Sequence, residues 1–295
     1  MSTFPWLTVL GLVPLAGAVV ISVLPRRSEL LAKQVALVTS LVALAVTIAM
    51  CTAFEPRGGR FQFVQSHDWI RAFGVKYAVG VDGIALVLIA LIAVLVPVVL
   101  LASWDDADRE LPVEGVDAPA GRRKSVKTFF ALLLVLETMM IGVFAATDVF
   151  LFYVFFESML IPMYFLIGSY GGPRRSYAAV KFLLYSLVGG LLMLAAVIGL
   201  YVVSASQGKG TFSFERLTQL DISHPVQAAL FLGFFIAFAI KAPLFPFHTW
   251  LPDAGAEAPT GSAVLLVGIL DKVGTFGFLR YCLPLFPWAA REFAP

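Results

Sequence analysis

Eight apolar runs, each about as long as a helix that crosses a bilayer core, dominate this chain and decide what it can fold into. They occupy residues 4–24, 35–54, 84–104, 128–146, 149–170, 182–203, 226–247 and 262–283. Their leucines, valines, phenylalanines and alanines show no alternation of period two, which excludes a β-barrel and predicts helices. In lipid a helix satisfies its own backbone polar groups within one segment. The fold class is therefore all-α and polytopic, with about eight transmembrane helices. The composition agrees: of 295 residues 60% are hydrophobic and 14% charged, against about 45–50% and 25% in soluble domains. Disordered, collagenous and disulfide-framed chains are excluded on the same ground. Cys51 and Cys282 cannot build a four-thiolate metal or iron–sulfur site. The first run is too long for a signal-peptide core and has no basic residue before it, so it is expected to stay in the membrane.

Lysines and arginines in the connections give an orientation. Connections one, three and five carry Arg26, Arg27, Lys33, Arg109, Arg122, Arg123, Lys124, Lys127, Arg174, Arg175 and Lys181. Connections two and six carry only Arg57, Arg60, Arg71, Lys76, Lys209 and Arg216. The richer side is expected to be cytoplasmic, which leaves the N-terminus outside. Within the outer loop 55–83, the alternating stretches at Phe61–Val64 and Tyr77–Val79 predict a hairpin. The loop 105–126, acidic first and basic last with Pro112, Pro119 and Gly121, reads as a solvated linker and not as a place for catalysis.

Ionisable residues inside the runs carry the functional signal, since each charge at a helix centre costs about 2.5–3.5 kcal/mol on insertion scales. They are Glu137, Glu157, Lys241 and the pair Asp271-Lys272. Glu157 is mid-span with Pro162 five residues on. It is either a carboxylate that exchanges a proton as a lysine approaches and withdraws, or half of a fixed ion pair. Lys241 is followed by Pro243 and Pro246, which deprive the carbonyls of Ala239 and Ala242 of their helical donors. Broken helices beside ionisable groups recur in transporters; the other reading is a kink with a snorkelling lysine. Water or the ammonium itself is expected on the freed carbonyls. His248 follows Lys241 by seven residues, two turns if the helix continued. Asp271 and Lys272 point about 100° apart. Lys272 is expected to face the interior, or to serve as packing glue, and Asp271 to face another partner. Arg280, near a run end, is expected to snorkel, and Asp148, between two runs, to cap the helix after it.

Several chemistries have no signature here: no phosphate-binding glycine loop, no dinucleotide fingerprint and no histidine pair placed for haem. No cofactor is expected in this chain, and no metal site. A net charge of +2, distributed over loops, gives no footprint for nucleic acid.

These residues, with their neighbours, carry a specific resemblance. FFIAFAIKAP at 234–243, FHTWLPDA at 247–254, VGVDGI at 79–84, FYVFFESMLIPMYFLI at 152–167 and LPLFP at 283–287 resemble the antiporter-like subunits of respiratory complex I, NADH-quinone oxidoreductase. The resemblance runs from about residue 75 to the end. It implies a proton-translocating membrane-arm subunit of a NADH:quinone oxidoreductase translocase in a bacterial inner membrane, with flavin, iron–sulfur clusters and quinone in partner subunits and other membrane-arm subunits as neighbours. It implies that Glu157 and Lys241 form a pair whose separation tunes proton affinity, and that Lys272 relays the proton onward. His248 then belongs to the uptake route, and Glu137, with no counterpart in the pattern, is an auxiliary carboxylate. It also implies a division into an N-terminal three-helix segment (1–126), one five-helix half-channel (127–283) and the start of a further connection (284–295). Members of that family have about fourteen helices, so the chain is expected to be the first part of a longer subunit. A multi-subunit cation/proton antiporter shares the broken helix and its lysine, and a hydrogenase membrane arm is a further alternative.

Overall fold

The structure, a computed structural model, describes residues 4–25, 28–105 and 125–294. The expectations for Arg26, Arg27, most of the linker (106–124) and Pro295 lie outside the described residues. Among the described residues, eight helical spans are long and apolar enough to cross a membrane. They are α1 (Trp6–Val23), α2 (Glu29–Ala53), α3 (Gly83–Ala102), α4 (Val126–Ala145), the pair α5 (Val149–Ser158) and α6 (Leu160–Tyr170), α7 (Arg175–Ser206), α9 (His224–Lys241) and a composite eighth span. The last is built from α11 (Thr260–Leu265), a π-helical stretch Leu266–Leu270, α12 (Asp271–Gly277), a second π-helical stretch Phe278–Cys282 and α13 (Leu283–Leu285). Short helices α8 (Phe214–Leu217), α10 (Trp250–Glu257) and α14 (Pro287–Glu292) lie between or after spans.

Helices that are apolar all round cannot be oriented by an amphipathic stripe, so small residues choose which faces meet. Gly142 of α4 lies against the Phe155 ring of α5, and Gly233 of α9 against Ala196 of α7. The span formed by α4 is 72% buried and forms the centre, whereas those of α1 and α2 are 33% and 28% buried and leave most of their surface uncovered by this chain. Between α2 and α3, β1 (Gln62–Ile70) and β2 (Val75–Val81) pair antiparallel as the expected hairpin. Their turn closes through Gly74 at φ +67°, a left-handed conformation that only glycine adopts cheaply.

Three boundaries differ from the apolar runs by six residues or more. The second span begins at Glu29, six residues early, so that Lys33 sits on α2. The sixth span begins at Arg175, seven residues early, so that Lys181 sits on α7; a long basic side chain reaches polar surroundings from within a helix and need not end it. The seventh ends as a helix at Lys241 itself, because Pro243 cannot supply the next donor.

Candidate functional site

Lys241 is the last residue of α9 and is 1% exposed. The chain beyond it closes differently from the expectation. The Leu244 N–H donates to the Ala239 carbonyl at 2.8 Å, five residues back, and the Trp250 indole N–H to the Ile240 carbonyl at 2.9 Å. The proline-freed Ala239 carbonyl thus has a protein donor, and neither water nor the ammonium is needed there. A wider, five-residue closure takes over the carbonyl that a proline leaves. The Lys241 ammonium has no hydrogen-bond partner among the described residues. It lies over the faces of Phe156 at 5.1 Å and Phe182 at 5.6 Å, within cation–π range.

Glu157 occupies the last turn of α5, just before the helix is interrupted at Met159. Pro162 removes the donor that the Ser158 carbonyl would take. The carboxylate rests against Gly190 of α7, where a β-carbon would stand 1.8 Å from its Oε1. That oxygen is buried and unpartnered among the described residues. Glu157 lies within electrostatic reach of Lys241, yet no ion pair within 4.0 Å joins them. A fixed structural pair closes its gap, because each buried charge otherwise loses its solvation without return. This pair stands apart.

Sequence reasoning missed Ser186. On α7, Phe182, Ser186 and Gly190 follow at spacings of four and share one face. Phe182 meets the ammonium and Gly190 the carboxylate, so Ser186 occupies the turn between the two charges. It is 3% exposed, and its hydroxyl is unpartnered among the described residues. The spacing Phe-x3-Ser-x3-Gly was legible in the sequence, but nothing there told which face of α7 looks toward Glu157.

The eighth span reverses an expectation. Asp271 is buried, with one carboxylate oxygen lacking a partner among the described residues. Lys272 is exposed on this chain and donates to the Val267 carbonyl at 3.2 Å. The cause is the π-helical stretch: the Asp271 N–H bonds the Leu266 carbonyl, five residues back, and the extra residue rotates everything after it by about 100° relative to an α-helix. Asp271 thereby turns toward α9, and Lys272 away from it.

Other candidates separate in the same way. Glu137 on α4 is completely buried, and neither of its oxygens has a partner among the described residues. His248 lies on the irregular stretch 242–249, exposed, so the two-turn alignment with Lys241 does not exist. Asp148 caps α5, accepting from Phe150 and Leu151 N–H at 3.0 Å, and also holds the Lys76 N–H of β2 at 3.2 Å. Burial pushes its carboxyl above the usual range, and these hydrogen bonds pull against that. Arg280 does not snorkel. It is 3% exposed, its Nη2 2.8 Å from Asp82 Oδ1, between the rings of Phe61 and Phe276. The hairpin and the start of α3 roof the end of the eighth span and leave the guanidinium no path to solvent.

A bundle of eight apolar spans with two interrupted helices, a buried lysine and a carboxylate held apart from it defines a polytopic helical membrane protein with ionisable groups in its interior. Residues 146–294 match the transmembrane family described as NADH:quinone oxidoreductase/Mrp antiporter, and the chain belongs to that family. It is 51% identical over its whole length to NADH-quinone oxidoreductase subunit M of Mycobacterium tuberculosis, covering 57% of that protein. It is 36% identical to NADH-ubiquinone oxidoreductase chain 4 of Chondrus crispus, covering 56% of it. Among solved structures it is similar to a chain of respiratory complex I from Thermus thermophilus, with a TM-score of 0.80 and 31% identity over 97% of this chain and 54% of that one. The Mrp complex from Dietzia contains a chain of the same fold, with a TM-score of 0.75 at 22% identity over 97% of this chain and 29% of that one. The chain spans little more than half the length of the curated relatives it matches.

Proposed function

We propose that this chain carries one half-channel of a proton-translocating membrane-arm subunit of a NADH-quinone oxidoreductase. Residues 127–283 form the half-channel. The observation that carries the reading is a buried ammonium at a helix break, without a hydrogen-bond partner among the described residues and with a carboxylate nearby but out of contact. An ammonium so placed gains or loses its proton according to how closely Glu157 approaches. Glu157 modulates, Lys241 holds the proton, and the Ser186 hydroxyl supplies a donor and acceptor between them. Lys272 relays the proton away from the bundle along the face it presents, and His248, exposed at the break, serves uptake. Glu137 is auxiliary.

The redox chemistry belongs to sister subunits that hold flavin, iron–sulfur clusters and quinone, while this chain converts their conformational work into charge movement. The setting is a bacterial inner membrane, with the hairpin and the N-terminus on the outer side and α10 with the linker on the cytoplasmic side. Likeness to cation/proton antiporters extends to the fold, and purification together with flavin- and iron–sulfur-containing subunits separates the two settings.

The test is Glu157→Gln in the full-length subunit of the assembled complex. Coupled quinone reduction and proton pumping in proteoliposomes should fall at least tenfold, equivalent to about 1.4 kcal/mol of barrier, with assembly intact. An unchanged proton-to-electron ratio and rate would overturn the reading.

A further inference from the structure

Lys241 has a second carboxylate within electrostatic reach, also with no ion pair within 4.0 Å, that the proposed path does not use. Asp271 is buried, one of its oxygens finds no donor among the described residues, and it lies within electrostatic reach of both Lys241 and Lys272. The backbone brings it there. Gly274, one turn further along α12, is packed so tightly against the helix break that a β-carbon would stand 2.6 Å from the Ala242 nitrogen and 2.7 Å from the Phe238 carbonyl oxygen. That contact pins α12 to the residue next to Lys241. The π-helical stretch before it sets the rotation that turns Asp271 inward. An unpaired buried carboxylate is costly unless it is neutralised or paired. Among the described residues no arginine and no hydrogen-bond donor takes that role at its buried oxygen.

We propose that Asp271 is the proton acceptor for Lys241, so that the ammonium works between two carboxylates, Glu157 behind it and Asp271 ahead. This rests on the proposed proton path and deepens it. In the transfer the Lys241 N–H bond breaks as an O–H bond forms on Asp271; no electron moves, and the ammonium and carboxylate become an amine and a carboxylic acid. Because both charges vanish together, the transfer relieves the cost of holding them in a low-dielectric interior. When Glu157 approaches Lys241 the lysine retains its proton, and when Glu157 withdraws the proton passes to Asp271. Once Lys272 has passed its own proton on and is a neutral amine, Asp271 hands the proton to it, and Lys272 carries it on a face of the helix about 100° away. The adjacent Asp-Lys pair thus carries the proton from the face of α12 that looks toward Lys241 to the face that looks away from it.

The experiment uses the full-length subunit in the intact complex, with Asp271→Asn, Asp271→Glu and Glu157→Gln compared. Assembly is checked by electron transfer from NADH to an artificial acceptor, which needs no proton path. Asp271→Asn should lower pumping and coupled quinone reduction at least tenfold, and Asp271→Glu should recover a large part of it. In infrared difference spectra the wild type should show the carbonyl stretch of a protonated carboxylic acid that is absent from Asp271→Asn, a signal that a packing role does not generate. Normal pumping by Asp271→Asn while Glu157→Gln fails overturns this inference and leaves the path standing; normal pumping by Glu157→Gln overturns the path itself. Should Asp271→Asn not assemble, the same infrared band, tested for a shift in Asp271→Glu, decides: an unshifted band belongs to another carboxyl and overturns the inference.

Discussion

At the scale of single residues, the site depends on what is missing from side chains as much as on what is present. Glu157 has room only because position 190 has no β-carbon. Gly190→Ala keeps every ionisable group and favours helix by about 1 kcal/mol, yet it drives the carboxylate out of its seat. We expect it to lower coupled turnover about as far as Glu157→Gln does, with the complex assembled; proteoliposome pumping at matched protein levels is the measurement, and wild-type rates would show that the carboxylate works from another position. Glu157, Lys241 and Glu137 were legible because a charge in an apolar run is costly and stands out from its neighbours. Gly190 and Ser186 were not, because a glycine or serine in such a run is ordinary packing until the facing side chain is known.

At the scale of elements, the break after Lys241 is a built structure. The indole of Trp250 closes the Ile240 carbonyl from α10, and α10 is tied to α7 by Lys181–Asp253 and by Tyr185–Thr249, both at 2.7 Å. Trp250→Phe keeps the aromatic bulk and removes the N–H, which leaves a buried carbonyl without its donor at a cost of about 1–3 kcal/mol. The expected result is a lower melting temperature of the purified complex together with slower pumping, since the seat of Lys241 loosens. Replacing Pro243 and Pro246 by alanine acts in the opposite sense: helix extends through the break, Trp250 is displaced, and pumping slows although Lys241 is untouched. If the double variant pumps normally across the accessible pH range, the break is a packing kink and the mechanism needs no irregular backbone.

At the scale of the whole molecule, the two faces are fastened differently. On the hairpin side Arg280 and Asp82 join the end of the eighth span to the start of α3 through an ion pair whose arginine is buried and whose aspartate is 19% exposed, and Asp82 also caps α3 by accepting the Ala85 N–H at 2.9 Å. Removing the arginine deletes a buried side chain packed on the rings of Phe61, Phe214 and Phe276 and takes the ionic partner from Asp82. Arg280→Ala should therefore depress thermal stability strongly in detergent. Lys181→Ala, at a pair whose side chains are 21% and 27% exposed, should shift it far less, since solvent screens such a pair. Equal shifts would mean that the hairpin roof is not the rigid end of the bundle.

Lipid forbids unsatisfied backbone, so the length of each apolar run was enough to determine eight spans, and Pro243 with Pro246 to place a break after Lys241; Pro14 and Pro97 sit inside unbroken helices, so a proline alone did not decide where a helix ends. The spacing of Phe61–Val64 and Tyr77–Val79 determined the hairpin in the same local way. What local pattern could not determine was rotation. Spans that are apolar on every face carry no stripe to mark the interior, and a π-helical stretch, which has no sequence signature here, adds one residue and turns the rest of the helix by about 100°. Only the packed structure decided that Asp271 looks toward Lys241 while Lys272 looks away, and that Arg280 is roofed over by Phe61 and Asp82 from a loop far earlier in the chain. Those outcomes depend on which small residues let two helices approach, a property of pairs of surfaces that no single stretch of sequence contains.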